Sequence, residues 1–424
     1  MEDSEDVLRE RYEGVVALQD VDAKKAIAGF RDILSEDHGG AEGLSRFQEW
    51  SLYNLCDLYS RLEDKDSLVQ LLKDTRPLFG KLPKAKTAKI VRTVIDSMAK
   101  IPNTTDAYMA LCNEYIEWCI TERRAFLRQR IQTRLANLYL SCGKFQQGLK
   151  LLAELQSEVK KLDDKQLLVE IFLIESRVHH ALLNLPKAKS SLTAARSVSN
   201  SIYVGPLLQA EIDMQGGILN ADEKDFRTAY SYFFEAFEGF VPLHDPRAKD
   251  CLKYMLLSKI MNSQGDEVPT ILNGKNAISF TGPEIESMRA VAKAYKDRSL
   301  HEFDSIKEKY KEQIVNDSLV ARHLKDLQGN LLEQNLIRII EPYSRVEIAQ
   351  VAKLIDLPLP MVETKLSQMI LDKKFLGILD QGTGELVVFD EPARDDTYDA
   401  SLNVVASMSN VVDSLFRRTE HLEA

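Results

Sequence analysis

The sequence predicts a mainly α-helical protein. A right-handed helical-repeat solenoid is followed by a winged helix with a small β-sheet and then by a long C-terminal helix. Three observations predict this class. Glycine and proline are scarce, with 19 and 13 residues in a chain of 424, or about 7.5% where average proteins have about 12%. Similar segments recur about every 40 residues in the first part of the chain. Near Leu319 the pattern changes, and short β-prone runs appear.

Charge and cysteine content exclude several classes of protein. The formal net charge of −10 weighs against a protein that coats nucleic acid, because such proteins normally carry a basic face. Five scattered cysteines without a Cys-x-x-Cys pair predict reduced thiols in the core. The acidic start, Met1–Asp6, differs from a signal or transit peptide, and no apolar run approaches the roughly 18 residues of a membrane span. We therefore expect a protein of the cytoplasm and nucleus with no membrane partner.

Helix–turn–helix units repeat along residues 1–300. One helix runs to about Ser141, a turn follows at Cys142–Gly143, and a new helix begins near Phe145. Gly143 suits the position after a helix end, where a positive φ is common. Small residues at equivalent positions of the second helices are spaced by about 40 residues, a period that fits a looser array than tetratricopeptide repeats. These small residues are Gly148, Ala188 and Ala229.

Each predicted helix has an apolar face that needs a neighbour. In one helix the apolar residues are spaced by three or four positions, as on a single helix face. Because one helix pair cannot cover such a face, we expect successive pairs to stack around a continuous core. Nine prolines fall at predicted helix boundaries, which agrees with this interpretation. The apolar residues of this helix are Leu167, Ile171, Ile174, Val178 and Ala181.

Residues 301–392 have the order of a winged helix. We predict a helix, a short β-prone run, a helix opened by a capping box, a second helix, and a hairpin with a Gly-rich turn. In the capping box, Ser344 would accept a hydrogen bond from the third helical amide and Glu347 would reach back. The predicted segments are Leu319–Leu336, Ile337–Ile340, Ser344–Ile355, Met361–Lys374 and Gly377–Phe389.

Residues 393–424 contain one amphipathic helix, Thr397–Leu422. Apolar residues repeat every seven positions at Tyr398, Val405 and Val412. Met408 and Leu415 form a second such series, and Leu402 and Phe416 widen the stripe. Because an isolated helix of this length is marginal in water, the stripe predicts packing against other helices.

The sequence contains no motif for catalysis, a cofactor or a metal. There is no phosphate-binding Gly-x-x-x-x-Gly-Lys-Ser/Thr loop, and Gly382-Thr-Gly384 lacks the third glycine and the helix of a dinucleotide fingerprint. His179 and His180 are adjacent, but neighbours on a helix point about 100° apart. There is no zinc-ligand spacing and no Gly-x-Ser-x-Gly elbow. We therefore expect no enzyme activity, no cofactor and no metal.

Two basic features have more than one interpretation. The helix Met361–Lys374 could enter DNA as a recognition helix, but three lysines offset by Glu363 and Asp372 fall short of the stripe of about six cations that phosphate contact requires. Packing in a protein assembly is favoured. The run Arg123–Arg130 is either a solvated helix face or a site for an acidic partner surface, and the first interpretation is favoured.

Several stretches of the chain resemble the PCI family, which comprises scaffold subunits of the proteasome lid, the signalosome and a eukaryotic initiation-factor complex. Helical repeats, a winged helix and a terminal helix are the order of elements in that family. Between about Asp106 and Val412 the amino-acid sequence is similar to that of a proteasome lid subunit. The stretches are Arg124–Gln129, Asn184–Ala188, Thr228–Phe233, Glu235–Gly239, Lys253–Leu257, Leu331–Arg338 and Lys365–Phe375.

The resemblance implies a non-catalytic scaffold. PCI subunits associate through their winged-helix sheets, within a PCI domain that in its broad sense would span 225–392 here, and their terminal helices gather in one bundle. Carried onto this chain, the hairpin Ile378–Phe389 supplies sheet edges and the helix Tyr398–Leu422 enters the bundle. The implied interface residues are Ile378, Leu386, Val387, Val388, Phe389, Tyr398, Leu402, Val405, Met408, Val412 and Leu415.

The resemblance also implies partners. These are other PCI lid subunits and, through the rod before about residue 200, an α-ring subunit of the proteolytic core and an adjacent proteasomal ATPase subunit. The expected function is to clamp the regulatory particle to the core in ubiquitin-dependent degradation, without binding nucleic acid. Two alternatives stay open from the sequence: a paralogous PCI scaffold of the signalosome, and a winged-helix protein that binds nucleic acid.

Overall fold

The computed structural model describes residues 11–16, 19, 23–35, 46–76, 83–99, 101, 105–311, 313, 317–355, 357–380, 382–389 and 396–420. The chain divides into two compact units, Met1–Lys259 and Ile260–Ala424. Each unit is described separately below.

The first unit consists of successive α-helices, preceded by a helical segment at 11–16. A 3-10 turn at Val241–Leu243 precedes the last of them, which extends two residues beyond the unit. The helices are α1 (Ala23–Ser35), α2 (Arg46–Arg61), α3 (Lys65–Thr75), α4 (Lys84–Ala99), α5 (Thr105–Thr121), α6 (Ala125–Ser141), α7 (Phe145–Leu162), α8 (Lys165–Ala181), α9 (Leu185–Ser199), α10 (Pro206–Asp222), α11 (Phe226–Phe240) and α12 (Arg247–Met261).

The turns inside the helix pairs confirm the predicted repeat. In four of these turns one residue takes a positive φ, and the amide of the next residue donates a hydrogen bond to the carbonyl five residues before it, as from Lys144 to Tyr139 at 2.9 Å. Only Gly143 among these positive-φ residues is a glycine. They fall about 40 residues apart or at twice that spacing, at Glu63, Gly143, Leu183 and Lys224.

Side chains cap the helices that follow these turns. Asp64, Asn184 and Asp225 each accept a hydrogen bond from the backbone amide three residues on, which satisfies one of the free amides at a helix start. Prolines enter first turns for a related reason, because their missing N–H needs no partner there. Pro186, Pro206, Pro269 and Pro283 occupy such positions, whereas Pro77 and Pro102 lie outside the described residues.

The predicted apolar faces form the core of the first unit. The face of α8 is buried from Leu167 to Val178, but Ala181 at the helix end is exposed. The small residues at equivalent positions, Gly148, Ala188 and Ala229, are buried. All five cysteines are free and all but Cys142 are buried, so most of them fill the core as predicted.

The second unit begins with helices and ends with a winged helix and one further helix. A 3-10 turn at Gly265–Glu267 precedes its first complete helix. Its elements are α13 (Val268–Leu272), α14 (Pro283–Lys296), α15 (Leu300–Lys309), α16 (Ser318–Ile340), β1 (Arg345–Glu347), α17 (Ile348–Ile355), α18 (Leu359–Leu371), β2 (Leu376–Asp380), β3 (Glu385–Phe389) and α19 (Asp396–Glu420).

The three strands form one antiparallel sheet in the order β1-β3-β2. Val346 of β1 and Leu379 of β2 both lie opposite Leu386 of β3. Leu386 is fully buried and belongs to one core cluster with Leu366 and Met369 of α18. The helices of the winged helix thus cover one face of the sheet.

Two local predictions in this region are wrong. The β-prone run Ile337–Ile340 continues α16, because Leu336 and Ile340 are buried in the core and packing overrides strand propensity. The segment of the predicted capping box is extended instead. Its residues Arg345–Glu347 form β1, and the carbonyl of Ser344 accepts a hydrogen bond from the amide of Val388 at 2.9 Å.

Candidate protein-interaction surfaces

Helix α19 presents an uncovered apolar face. Every described side chain from 397 to 419 is exposed. Nine of them are large and apolar, and at 100° per residue they fill an arc of about 180° on the helix. We call them the α19 stripe: Tyr398, Leu402, Val404, Val405, Met408, Val411, Val412, Leu415 and Phe416.

The width of the α19 stripe indicates how many neighbours would cover it. A two-stranded coiled coil buries a narrow seam with two apolar positions in seven. The α19 stripe is wider, because Val404 and Val411 lie beside the two heptad series. A face of this width is covered only when two or more helices pack around α19.

The sheet has a second uncovered apolar face, on the side opposite the core. Because strand residues alternate between faces, the pairs Leu376–Phe389 and Ile378–Val387 share this outer side. Ile378 is 58% exposed and Phe389 is 49% exposed. We call these four residues the outer sheet face. In the described part of the chain β2 pairs only with β3, so its other edge is available to a strand of another chain.

Two lysines of α18 and the residues that follow it form ion pairs within the fold. The carboxylate of Glu333 in α16 forms ion pairs with Lys365 of α18 and with Lys374, which follows that helix. Lys373 is the remaining basic residue of this segment. Two of the three cations that could meet phosphate are therefore neutralised within the fold, which weakens the nucleic-acid interpretation.

Three family models match the chain. The "26S proteasome regulatory subunit RPN6 N-terminal domain" matches residues 9–142, the "PCI domain" matches 307–390, and the "26S proteasome subunit RPN6 C-terminal helix domain" matches 394–420. The last two ranges contain the sheet and α19, respectively.

Curated relatives match almost end to end. The "26S proteasome non-ATPase regulatory subunit 11 homolog" of Arabidopsis thaliana is 51% identical over 94% of this chain and 95% of its own length. The chain belongs to the RPN6 family. "Probable 26S proteasome regulatory subunit rpn6" of Schizosaccharomyces pombe is 47% identical over 94% of this chain and 95% of its own. "26S proteasome regulatory subunit RPN6" of Saccharomyces cerevisiae is 42% identical over 88% of each chain.

Membership of the RPN6 family gives the α19 stripe a context, since the family has a separate model for this helix. The seven apolar residues that the sequence pattern placed there, Phe416 among them, lie on the stripe, and the structure adds Val404 and Val411. The spacing of 4, 3 and 4 between Val404, Met408, Val411 and Leu415 was the signal that could have found them. Leu422 lies outside the described residues.

The sheet residues predicted for this RPN6-family chain divide between two faces. Ile378, Val387 and Phe389 lie on the outer sheet face. Leu386 is buried and Val388 packs against the same core, so neither side chain is presented to another chain. Leu376 was missed, although alternation with Ile378 could have indicated it. β3 is the central strand, so the free edges belong to β2 and to the shorter β1.

Other kinds of site find little support in the described part of this RPN6-family chain. No group of three His, Cys, Asp or Glu side chains there is arranged to hold a metal ion. Within the same residues, no helix combines the length and the apolar character that crossing a membrane would need.

Proposed function

We propose that this chain is a non-catalytic scaffold subunit of the lid of the 26S proteasome regulatory particle, active in ubiquitin-dependent protein degradation in the cytoplasm and nucleus. The α19 stripe is the observation that carries the proposal. Nine exposed apolar side chains on one helix are costly in water and are explained by neighbouring helices that cover them in an assembly. The names of the curated relatives support the choice of assembly.

Each region of the chain has a part in the proposed assembly. Residues 1–300 act as the helical-repeat rod, and its portion before about residue 200 contacts an α-ring subunit of the proteolytic core and an adjacent ATPase subunit. Residues 301–392 join other PCI lid subunits through the edge of β2 and the outer sheet face. Residues 393–424 enter a bundle of C-terminal helices. The interface residues proposed are Ile378, Val387 and Phe389 of the sheet and Tyr398, Leu402, Val405, Met408, Val412 and Leu415 of α19.

Neither alternative from the sequence has an observation in its favour. A signalosome scaffold would share the PCI domain, but the N-terminal and C-terminal models that match are those of RPN6. A nucleic-acid-binding winged helix would need free cations on α18, where Glu333 pairs with Lys365.

Affinity purification of the full tagged chain from eukaryotic cells, with mass spectrometry of what accompanies it, tests the proposal. We expect PCI lid subunits, proteasomal ATPase subunits and core α-ring subunits. Recovery of the ubiquitin-like deconjugation machinery without ATPase or core subunits would contradict it. So would tight, salt-sensitive binding of duplex DNA by the purified chain.

A further inference from the structure

A charged groove lies along the first unit, apart from the surfaces described above. Its volume is about 560 Å³, within the range of about 300–1,000 Å³ that is usual for binding sites. Its walls come from α4, α6, α8, α10 and α12, which are the first helices of successive pairs. The groove is therefore a product of the repeat and lies within one unit of the fold.

Arginines outnumber carboxylates in this groove. Five arginines line it, at positions 92, 130, 134, 177 and 247, with three carboxylates, at Asp96, Glu170 and Glu211. The carboxylate of Glu211 forms ion pairs with the guanidinium groups of Arg177 at 3.0 Å and Arg247 at 2.7 Å. Arg134 lies 3.4 Å from Asp96. Arg247 also pairs with Asp245 at 2.8 Å. With that carboxylate counted beside the three of the lining, the five arginines keep an excess of one positive charge.

Two of the arginines have no direct ion-pair partner among the described residues. Arg92 on α4 and Arg130 on α6 are both exposed. Neither forms a hydrogen bond or an ion pair with any residue that the structure describes. Arg130 belongs to the basic run Arg123–Arg130. Two other arginines of this run contact neighbouring side chains: Arg124 stacks on the ring of Trp118 at 4.8 Å and Arg128 forms an ion pair with Glu158 at 2.5 Å.

The groove is also partly apolar. Side chains such as Ile95, Leu127, Ile131 and Leu207 contribute to its walls between the charges. Glu170 lies among them, and burial raises its pKa although Arg130 and Arg134 act in the opposite direction. The Glu170 carboxylate is thus partly withdrawn from water.

We propose that this groove binds an extended, carboxylate-rich segment of another protein, with Arg92 and Arg130 pairing with its acidic side chains. Guanidinium groups suit carboxylates because their N–H donors match the two oxygens. The apolar walls suit the aliphatic parts of such a segment. A nucleic acid fits less well, since two arginines without ion pairs fall short of the stripe of about six cations that contact with a phosphate backbone requires.

Fluorescence anisotropy with fluorescein-labelled octaglutamate and the full chain tests this inference at low salt. We expect saturable binding that weakens with added salt, and at least a tenfold loss of affinity in the double variant Arg92→Gln/Arg130→Gln. The control Arg61→Gln/Arg123→Gln changes the same charge at exposed positions outside the groove and should bind like the unaltered chain. Glu170→Gln removes a competing carboxylate and should bind a few-fold more tightly.

Several outcomes would overturn the inference. They are absence of binding by the unaltered chain, equal loss in the control variant, and tighter binding of an oligothymidylate that the groove variant abolishes. Far-UV circular dichroism and thermal unfolding of each variant confirm that the fold is intact. The inference does not rest on the proposed function, because the purified chain is tested outside any assembly.

Discussion

The carboxylate of Glu333 lies 2.8 Å from the ammonium of Lys365 and also pairs with Lys374. Glu333 is only 9% exposed, so the cluster ties α16 to α18 and to the segment before β2. Burial acts to raise the pKa of Glu333, but the hydrogen bonds and charges of the two lysines outweigh it and hold this pKa below its ordinary value of 4.5. The cluster is therefore a stabilising element of the winged helix.

Replacing Glu333 with glutamine should destabilise the second unit by about 1–3 kcal/mol at pH 7. Because the folded-state pKa is lowered, this stabilisation is fully present above the unfolded-state pKa and is lost as the pH falls through the folded-state value. The difference between the two proteins should therefore begin to shrink as the pH falls below 4.5 and vanish only below the folded-state pKa of Glu333. Urea denaturation at several pH values measures it. Glu363→Gln is the control, since Glu363 forms no ion pair with a described residue. An equal effect of both variants would contradict the prediction.

Gly377 in β2 should not tolerate a side chain. A Cβ there would lie 2.7 Å from the carbonyl oxygen of Val387 and 3.1 Å from the ring of Phe375. We expect Gly377→Ala to lower the free energy of unfolding by about 1–3 kcal/mol. Gly329→Ala, inside α16 where the nearest atom would be 4.0 Å away, should raise it by about 0.5–1 kcal/mol. Urea unfolding followed by circular dichroism compares the two variants. Changes of the same sign in their free energies of unfolding would contradict the close contacts expected at Gly377.

Four cysteines should resist alkylation in the folded protein. Burial raises the pKa of Cys56, Cys112 and Cys251 to about 12 and that of Cys119 to about 11. At pH 8 about one thiol in ten thousand would be ionised at a pKa of 12, and access is closed as well. Iodoacetamide labelling with mass spectrometry should modify only Cys142 before unfolding and all five cysteines afterwards. Labelling of Cys56 as fast as Cys142 would show the core to be open.

Deletion of residues 396–424 should leave the rest of the protein folded. Side chains 397–419 of α19 are exposed throughout, so removing the helix removes little packing. We expect a loss of helical signal but a thermal midpoint within about 2 °C of that of the full chain. Circular dichroism and calorimetry measure both. A truncated chain that unfolds much earlier would mean that α19 stabilises its own unit.

The sequence predicted the helical repeat because its signals are local. The turn at Gly143 and the apolar period of α8 can be read within a few residues. Other turns of the same repeat place Glu63, Leu183 and Lys224 at positive φ. Non-glycine residues at such positions give no warning in the sequence, and only the period of the repeat marks them.

Failures of prediction arose where distant residues decide the structure. Arg345–Glu347 has the pattern of a capping box, but pairing with Glu385–Val387 makes it a strand. The apolar run Leu386–Phe389 does not indicate which side of the strand faces the helices, so buried Leu386 was predicted at an interface.

The candidate sites likewise divide into one set by local sequence and one set by residues far apart in the chain. The α19 stripe is periodic within one helix and was largely predicted. The groove is assembled from helices about 40 residues apart. Arg130, Glu170 and Glu211 occupy equivalent positions of three repeats. Aligning the repeats could have brought them together, whereas inspection of single helices could not.

Native gel electrophoresis of lid assembly, with the α19 stripe altered, tests the central claim most directly. The altered chain carries glutamine at Leu402, Val405, Met408, Val412 and Leu415, and the control carries it at Asn403, Asn410 and Ser414 on the polar face of the helix. We expect the control to enter the lid like the unaltered chain and the stripe variant to stay outside it as a folded protein. Normal incorporation of the stripe variant would show that the α19 stripe is not needed for assembly.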